Sequence, residues 1–393
     1  MRRVPPALAA LVAGASLALA GAAPAVASVT LWPTCSSPPG GDYARCAKGA
    51  FPQSVAPGPD GAVWFTTARA NLGRVTAAGG VSQFEVPVAG LSGGLMGGLA
   101  LGSDGAMWFP QLERNGLWRG TVASPSAFSY VVGGPADTQP RDVALGPDGA
   151  LWVAEAKADT VGHLSSIGSY THYALPPKAP GTFVSSFAIT AGPDGRMWIA
   201  RPRAIAAITT SGVVTSYPVP GNDPDSITLG PDGEIWFAMY GTDRVGRLTT
   251  GGKLTLFDLP KGTAPASITS GPDGALWIGL GKDKGIMRMT TGGAWSVTPL
   301  LFSSQVSSIT TGGDGAIWFG DLGGSRIGRI DGPPSGGTPA VGSISPTFGR
   351  GGTKLALPST LRLSLPANHF QRSRVVPRFL DEIASSAAHR FHG

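Results

Sequence analysis

The chain is poor in residues that mark several common classes of protein. Its 393 residues include two cysteines and five histidines, and charged residues make up 14%. Beyond the N-terminus it has no run of 18 or more apolar residues, so no further membrane-spanning helix is expected. It also has no G-x-S-x-G motif between a strand and a helix, no Cys/His pair and no dinucleotide-binding fingerprint. These absences argue against the corresponding nucleophilic and nucleotide-dependent active sites.

The positive charge is not carried by the body of the chain. The formal net charge is +6, but residues 28–330 contain 21 Lys and Arg against 21 Asp and Glu. The excess comes from two arginines at the N-terminus and from seven basic against three acidic residues after position 330. Nucleic-acid binding requires a basic stripe on the folded domain. No nucleic-acid partner is therefore expected.

The N-terminus has the pattern of a secretory signal peptide. Arg2 and Arg3 precede an apolar segment over residues 5–22, and Ala25-Val26-Ala27 forms an A-x-A cleavage site. We predict a signal peptide over residues 1–27, cleaved after Ala27, and an extracellular protein without membrane contact. The alternative is an uncleaved anchor.

The two cysteines fit an exported protein. Cys35 and Cys46 lie in a segment rich in Pro, Gly and Ser, outside the repeats described below. In an oxidising compartment, two cysteines permit one pairing, so a local Cys35–Cys46 disulfide is expected.

One short motif occurs in seven close copies. The sixth copy, Gly271–Ile278, reads Gly-Pro-Asp-Gly-Ala-Leu-Trp-Ile, and successive copies begin 38 to 46 residues apart. A period of about 40–45 residues is typical of a four-stranded propeller blade. The tryptophans of the seven copies are Trp64, Trp108, Trp152, Trp198, Trp236, Trp277 and Trp318.

Each repeat predicts four strands. Two strand-like runs flank Pro272-Asp273-Gly274, where Pro presets the turn and Gly accepts the left-handed conformation that follows. Two more runs come next, most clearly Arg244–Leu248 and Leu254–Phe257 in the fifth repeat. We therefore predict an all-β, seven-bladed β-propeller of four-stranded antiparallel blades. The blades are expected near residues 51–89, 92–134, 138–177, 183–220, 223–260, 264–301 and 304–331.

The seventh repeat lacks a fourth strand of its own. Its third strand, residues 326–330, is followed by Asp331-Gly332-Pro333-Pro334, whereas residues 28–33 have the pattern of a fourth strand. We predict that this N-terminal strand completes blade seven and closes the ring, which hides open sheet edges. The propeller then spans residues 28–331, and residues 332–393 form a Pro/Gly linker and a poorly ordered tail. A monomer is expected.

The repeat register locates a candidate binding surface. The first strand of each propeller blade lines a central channel, and the repeated turn lies at one end of it. The opposite end, called the channel mouth below, is formed by the start of each first strand and the end of each second strand. Residues there vary between blades, as expected for a binding surface on a repeated frame. The expected ligand-binding residues are Arg141, Glu155, Phe187, Arg201, Asp225, Met239 and Asp321.

The repeats resemble those of the streptogramin B lyase (virginiamycin B lyase) family. The resemblance rests on the pattern P-x-S-I-T-x-G-P-D-G-x-[LI]-W-[FI], seen in residues 225–237 and 266–278. It implies a magnesium-dependent C–O lyase that opens the ester of a cyclic depsipeptide by elimination. It also implies one His and two Glu in the sixth repeat, and the matching residues here are Ala266, Ala264 and Leu280.

Two functions remain open. The first is a lyase-like propeller that binds an extracellular peptide, glycan or small cyclic molecule at the channel mouth, without the catalytic residues of the family. The second is an active lyase with a rebuilt site. In it, Glu155, which matches the family pattern W-x-x-E, is the catalytic candidate, and Asp223, Asp225 or Asp321 would help to hold a cation. A gluconolactonase-type lactonase would need a set of acidic and amide ligands that the register does not assemble.

Each candidate has a simpler explanation. In this alternative, Glu155 forms an exposed ion pair with Arg141, and the aspartates are solvated residues at the rim of the mouth. His163 and His172 are expected on the outer surface of a blade. Magnesium is expected only if the lyase function holds, and no other cofactor is indicated.

Overall fold

The computed structural model describes residues 28–34, 51–87, 97–132, 138–177, 188–221, 224–281, 285–300 and 305–331. The predicted signal peptide, the linker and tail, and the predicted disulfide all lie outside these residues. So do Phe187 and Asp223 of the expected site.

Within these ranges the chain forms twenty-eight strands and two short 3₁₀ helices. Blades one and two contain β2 (Pro52–Pro57), β3 (Val63–Thr67), β4 (Asn71–Val75), β5 (Val81–Glu85), β6 (Ala100–Leu101), β7 (Met107–Gln111), β8 (Gly116–Gly120) and β9 (Ser129–Val132). Blades three and four contain β10 (Pro140–Leu145), β11 (Leu151–Glu155), β12 (Thr160–Leu164), β13 (Tyr170–Ala174), β14 (Ala188–Ala191), β15 (Arg196–Arg201), β16 (Ala204–Thr209) and β17 (Val214–Pro218).

Blades five and six contain β18 (Ser226–Leu229), β19 (Ile235–Met239), β20 (Arg244–Leu248), β21 (Leu254–Asp258), β22 (Pro265–Ser270), β23 (Leu276–Leu280), β24 (Ile286–Met289) and β25 (Trp295–Thr298). Blade seven contains β26 (Val306–Thr311), β27 (Ile317–Asp321), β28 (Arg326–Ile330) and β1 (Val29–Pro33). The 3₁₀ helices are Leu112–Arg114 and Tyr240–Thr242. Neither helix of the described part is long and apolar enough to cross a membrane.

The strands form seven antiparallel four-stranded sheets, which confirms the predicted propeller. The first strands of neighbouring blades contact one another in a complete circle, from β2 through β6, β10, β14, β18, β22 and β26 back to β2. They therefore surround the central axis. Blade seven is completed by β1, whose residues Val29–Pro33 pair with Arg326–Ile330. The predicted closure of the ring by the N-terminal strand is confirmed.

The repeated turn is fixed by its aspartate. In all seven blades, one carboxylate oxygen of this Asp accepts a hydrogen bond from the indole Nε1 of the Trp four residues later, at 2.8–3.1 Å. The first turn residue must be small: a Cβ on Gly271 would lie 2.3 Å from Trp277 Cδ1. The fourth is Gly274, with φ of +70°. The turn and the tryptophan are thus built as one unit.

The second oxygen of the same Asp pairs with a basic side chain, at 2.5–3.0 Å. In six blades this side chain comes from the third strand. In blade four it is Arg196 at the start of β15. The basic residues are Arg74, Arg119, His163, Arg196, Arg247, Arg288 and Arg329. Burial raises the pKa of Asp60, but hydrogen bonds from Trp64 and Arg74 bring it below its usual value. Sequence reasoning missed this pair, although a basic residue recurs 10 or 11 residues after the Trp in six repeats.

The tryptophans form the cores between blades. All seven are buried, at 0–8% exposure. Seven apolar clusters lie in the seven blade interfaces, each containing the Trp of one blade and residues of the next. In blade seven, Trp318 stacks on Trp32 of the closing strand, with ring centroids 5.2 Å apart. The closing strand therefore contributes to the core as well as to the sheet.

A side chain near the start of the first strand links several blades to the next one. Ser226 Oγ accepts a hydrogen bond from Ile268 N, and Ser308 Oγ accepts one from Val55 N, both at 3.2 Å. Blade three has Asp142 at this position. Its Oδ2 accepts from Ile189 N at 2.9 Å, and its Oδ1 accepts from Val143 N at 2.9 Å. Burial raises the pKa of Asp142 to about 7, although these two hydrogen bonds lower it.

The first prediction concerns ring closure. Trp32→Ala is expected to lower the free energy of unfolding by about 3–5 kcal/mol, because it removes a buried aromatic ring from the closing strand. Equilibrium unfolding in guanidinium chloride measures this. Trp295→Ala is the matched control: Trp295 is 46% exposed, so a change within about 0.5 kcal/mol is expected. Equal losses in the two variants would contradict the closing role of Trp32.

The second prediction concerns Asp142. Its pKa in the folded protein, about 7, lies above the value of 3.8 expected when unfolded. The folded state therefore binds the proton more tightly, and stability is lost as the pH rises from about 4 to 7. Asp142→Ser, which copies Ser226 and Ser308, is expected to remove this loss, which amounts to at most about 4 kcal/mol.

Unfolding free energies of the Asp142→Ser variant and the wild type, measured from pH 4 to 8, provide the test. Asp258→Ser serves as the control, because the Asp258 side chain is 77% exposed. It should keep the pH dependence of the wild type. An unchanged slope in Asp142→Ser would refute the assignment.

Candidate functional site

Four blades have a β-bulge at the channel mouth, which the repeat register did not predict. In blades one, three, six and seven, the pairing of the first and second strands shifts by one residue at the mouth end. A bulge redirects the side chain of the extra residue. The extra residues are Gln53, Arg141, Ala266 and Ser307. Three of them follow a proline. Because proline within sheets is confined to edge strands, strand starts and bulges, these prolines were the sequence signal for the bulges.

Strained residues precede three of these bulges. Phe51, Gln139 and Ala264 have φ values of +41°, +51° and +49°. This left-handed conformation is unfavourable for residues other than glycine and is maintained by surrounding contacts. Two of the three are held by the preceding blade: Asn115 Oδ1 accepts from Gln139 N at 3.1 Å, and Asp243 Oδ1 accepts from Ala264 N at 2.7 Å. The frame of the mouth is thus fixed by neighbouring blades.

The residues three positions after each Trp are buried, although the repeat register predicted that they line an open mouth. They are Thr67, Gln111, Glu155, Arg201, Met239, Leu280 and Asp321, each at most 2% exposed. The second strand lies between the first and third strands, and neighbouring blades cover both of its faces. Its last side chain therefore enters a blade interface. The bulged residues of the first strands are half-buried, and Ser307 Oγ donates to Pro52 O of blade one at 2.7 Å.

Glu155 is held by partners on its own blade. It accepts hydrogen bonds from Thr160 Oγ1 at 2.7 Å and from Tyr170 Oη at 3.1 Å, and it contacts His172 Nδ1 at 2.8 Å. An exposed ion pair with Arg141 was expected. Glu155 is instead 0% exposed, and no such pair occurs among the described residues. His172 was expected on the outer surface and is instead part of this group. Gly162, opposite His172 on the adjacent strand, leaves the space that Tyr170 fills.

Two arginines of the expected site lie in blades three and four. Arg201 is 2% exposed, and its Nη2 is 3.4 Å from Asp159 Oδ1. Arg141 is half-buried at its bulge. Burial lowers the pKa of Arg141, and it also lowers that of Arg201, where Asp159 opposes the shift. In both side chains the Nε atom is buried and has no hydrogen-bond partner in the described part of the chain.

The remaining expected residues are distributed around the ring. Asp225 Oδ2 accepts from Tyr240 N at 2.8 Å. Asp321 is 1% exposed and accepts from Arg326 Nη2 at 2.6 Å. Met239 belongs to the apolar cluster between blades four and five. No group of three or more His, Cys, Asp or Glu able to hold a metal ion occurs among the described residues.

The three positions that match the family's catalytic residues do lie together. Pro265, between Ala264 and Ala266, pairs with Leu280, and Gly281 N donates to Ala264 O at 2.8 Å. Ala264 and Leu280 are buried at 4% and 1% exposure. None of the three side chains carries a heteroatom, so together they neither ligate a cation nor transfer a proton.

The solved structures that are similar to this fold include lyases. A streptogramin B lyase is 26% identical with a TM-score of 0.68, over 78% of this chain and 97% of the other. The virginiamycin B lyase from Staphylococcus aureus is 27% identical with a TM-score of 0.65, over 72% and 94%. A catalytically inactive His-to-Ala variant of that enzyme, with quinupristin, is 25% identical with a TM-score of 0.67, over 77% and 99%.

Comparison of sequences gives the same family. No match was found among curated protein sequences. The model of the virginiamycin B lyase family, however, matches residues 127–336, which is more than half of the chain. With the seven-bladed fold and the shared repeat, this match shows that the chain belongs to the virginiamycin B lyase family.

Proposed function

We propose that the mature protein is an exported propeller that binds an extracellular ligand at the channel mouth and does not catalyse the elimination of its family. The ligand class is a peptide, a glycan or a small cyclic molecule. The observation that carries the proposal is the group formed by Ala264, Ala266 and Leu280 on blade six. The three positions lie together on blade six, but their side chains are hydrocarbon and carry no catalytic group.

The chemistry of elimination explains why this matters. Opening an ester without water requires a group that takes up a proton, and a cation bound by carboxylates that polarises the carbonyl. Two methyl groups and an isobutyl group supply neither. Three of the other carboxylates proposed for a rebuilt site already accept protein donors: Glu155 from Thr160 and Tyr170, Asp225 from Tyr240, and Asp321 from Arg326.

A relative supports the separation of binding from catalysis. The inactive variant of the Staphylococcus aureus enzyme carries alanine in place of a histidine, and its structure is with quinupristin. The present chain has Ala266 where the family resemblance places a histidine. By analogy, a propeller without this side chain still presents a mouth that accepts a ligand.

The side chains at the mouth suit a mid-sized organic ligand. The bulged residues Gln53 and Arg141 supply an amide and a guanidinium group, whereas the Ser307 hydroxyl donates to Pro52 O at 2.7 Å. Phe51 lies at the same end of blade one and is 38% exposed. Apolar surface combined with a few polar groups is typical of small-molecule binding sites.

The third prediction tests activity and binding together. The purified mature protein is incubated with magnesium and quinupristin, and ring opening is followed by mass spectrometry. We expect no product above the protein-free control, and a rise in the thermal unfolding midpoint with quinupristin. The Staphylococcus aureus lyase is the positive control for turnover. Turnover by this protein that disappears in Glu155→Ala or Asp225→Ala would instead establish a rebuilt, magnesium-dependent lyase.

The fourth prediction concerns export. Cleavage after Ala27 leaves Ser28, whose backbone carbonyl accepts from Asp331 N at 3.2 Å, and all of β1. The intact mass and N-terminal sequence of the exported protein are therefore expected to show Ser28 as the first residue. Retention of residues 1–27, or cleavage within residues 28–33, would contradict the proposal.

A further inference from the structure

Arg201 is an unusual residue for its position. It ends β15 at the channel mouth, and its side chain points toward blade three, where Asp159 lies. The separation of 3.4 Å from Nη2 to Asp159 Oδ1 exceeds the usual range of a charged hydrogen bond. The Nε atom is buried and has no partner among the described residues. A guanidinium group this well buried, with donors unused, is costly to the folded protein.

The other blades show what this position requires. Blades five and six have Met239 and Leu280 there, and both are buried. Packing is therefore satisfied by an apolar side chain. Where the position is acidic, the charge is well paired: Glu155 has three polar partners, and Asp321 accepts two hydrogen bonds from Arg326. Arg201 is neither apolar nor well paired.

Arg141 has the same unmet requirement. It is the bulged residue of β10 in blade three, and its Nε atom is also buried without a partner in the described part of the chain. The nearby carboxylates are committed elsewhere. Both oxygens of Asp142 accept backbone N–H groups, and Glu155 is enclosed by Thr160, Tyr170 and His172. The mouth end of blades three and four therefore holds two arginines whose charge the described residues only partly compensate.

We propose that the ligand of this mouth carries an anionic group, a carboxylate or a phosphate, which Arg141 binds at its bulge and toward which the buried Arg201 side chain turns from the blade interface. The inference rests on the proposed function and adds the charge of the ligand to it. Arginine suits this role, because its planar group offers several donors in a fixed arrangement that matches carboxylate and phosphate oxygens. The ligand then supplies acceptors that the described part of the chain does not provide.

The test uses the mature protein and a substitution that the chain itself supplies. Arg201→Met copies Met239 of blade five. In the ligand-free protein, we expect its thermal unfolding midpoint to equal or exceed that of the wild type, because a poorly compensated charge is replaced by a packed apolar side chain. Sodium phosphate and sodium acetate, at ionic strength matched with sodium chloride, serve as probes. The more effective of the two identifies the anion class.

We expect one probe to stabilise the wild type, and its apparent affinity to fall by about tenfold or more in Arg201→Met and in Arg141→Gln. Arg69→Met is the matched control, because Arg69 is an exposed arginine at the mouth end of blade one. It should respond as the wild type does. A lower midpoint of ligand-free Arg201→Met would show a structural arginine and overturn the proposal. So would an equal response of all variants, or no response of the wild type.

These outcomes are independent of the activity assay. Ring opening of quinupristin would refute the proposed non-catalytic function, but it would leave the anion response and its loss in Arg201→Met unchanged. Conversely, absence of an anion response overturns the inference about ligand charge without restoring the catalytic groups.

Discussion

The fold depends on one carboxylate per blade. The turn aspartate accepts from the indole of the Trp that fills the next blade interface, and it pairs with a basic side chain that in six blades comes from the third strand. In four blades the arginine also lies over the Trp ring, at 4.6–5.9 Å from its centroid. A single short side chain thus connects the turn, the sheet and the interface. Because the requirements are met locally, each repeat carries the same scaffold while its mouth residues differ.

Much of the fold was predictable because its determinants are local and repeated. The register of the Gly-Pro-Asp-Gly–Trp motif gives the number of blades, the position of each Trp and the order of the strands. Ring closure by residues 28–33 was also predictable, because blade seven lacked a strand that the N-terminus supplied. The sequence shows a basic residue 10 or 11 positions after the Trp in six repeats. That this residue pairs with the turn Asp can be recognised only once the third strand is known to lie beside the turn.

The candidate site was less predictable, because it depends on contacts between blades. Sequence register placed Glu155 and Arg201 at the mouth end of their strands, where the structure also has them. It did not reveal that neighbouring blades cover these side chains, nor that His172, two strands away, contacts Glu155. Nor did it locate the bulges, since a one-residue shift in pairing depends on both strands. The matching positions Ala264, Ala266 and Leu280 needed only the register, and the structure brings them together.

The closing strand also determines when the molecule can become complete. Ser28 and Asp331 are hydrogen-bonded across 303 positions of sequence, so the first residues of the propeller must wait for the last ones. Contacts of such long sequence separation form slowly, because the intervening chain must first be ordered. Blades one to six can assemble from local contacts, whereas blade seven requires both ends of the propeller chain. Ring closure is therefore expected to be the final step of folding, because it requires both ends of the propeller chain to be present.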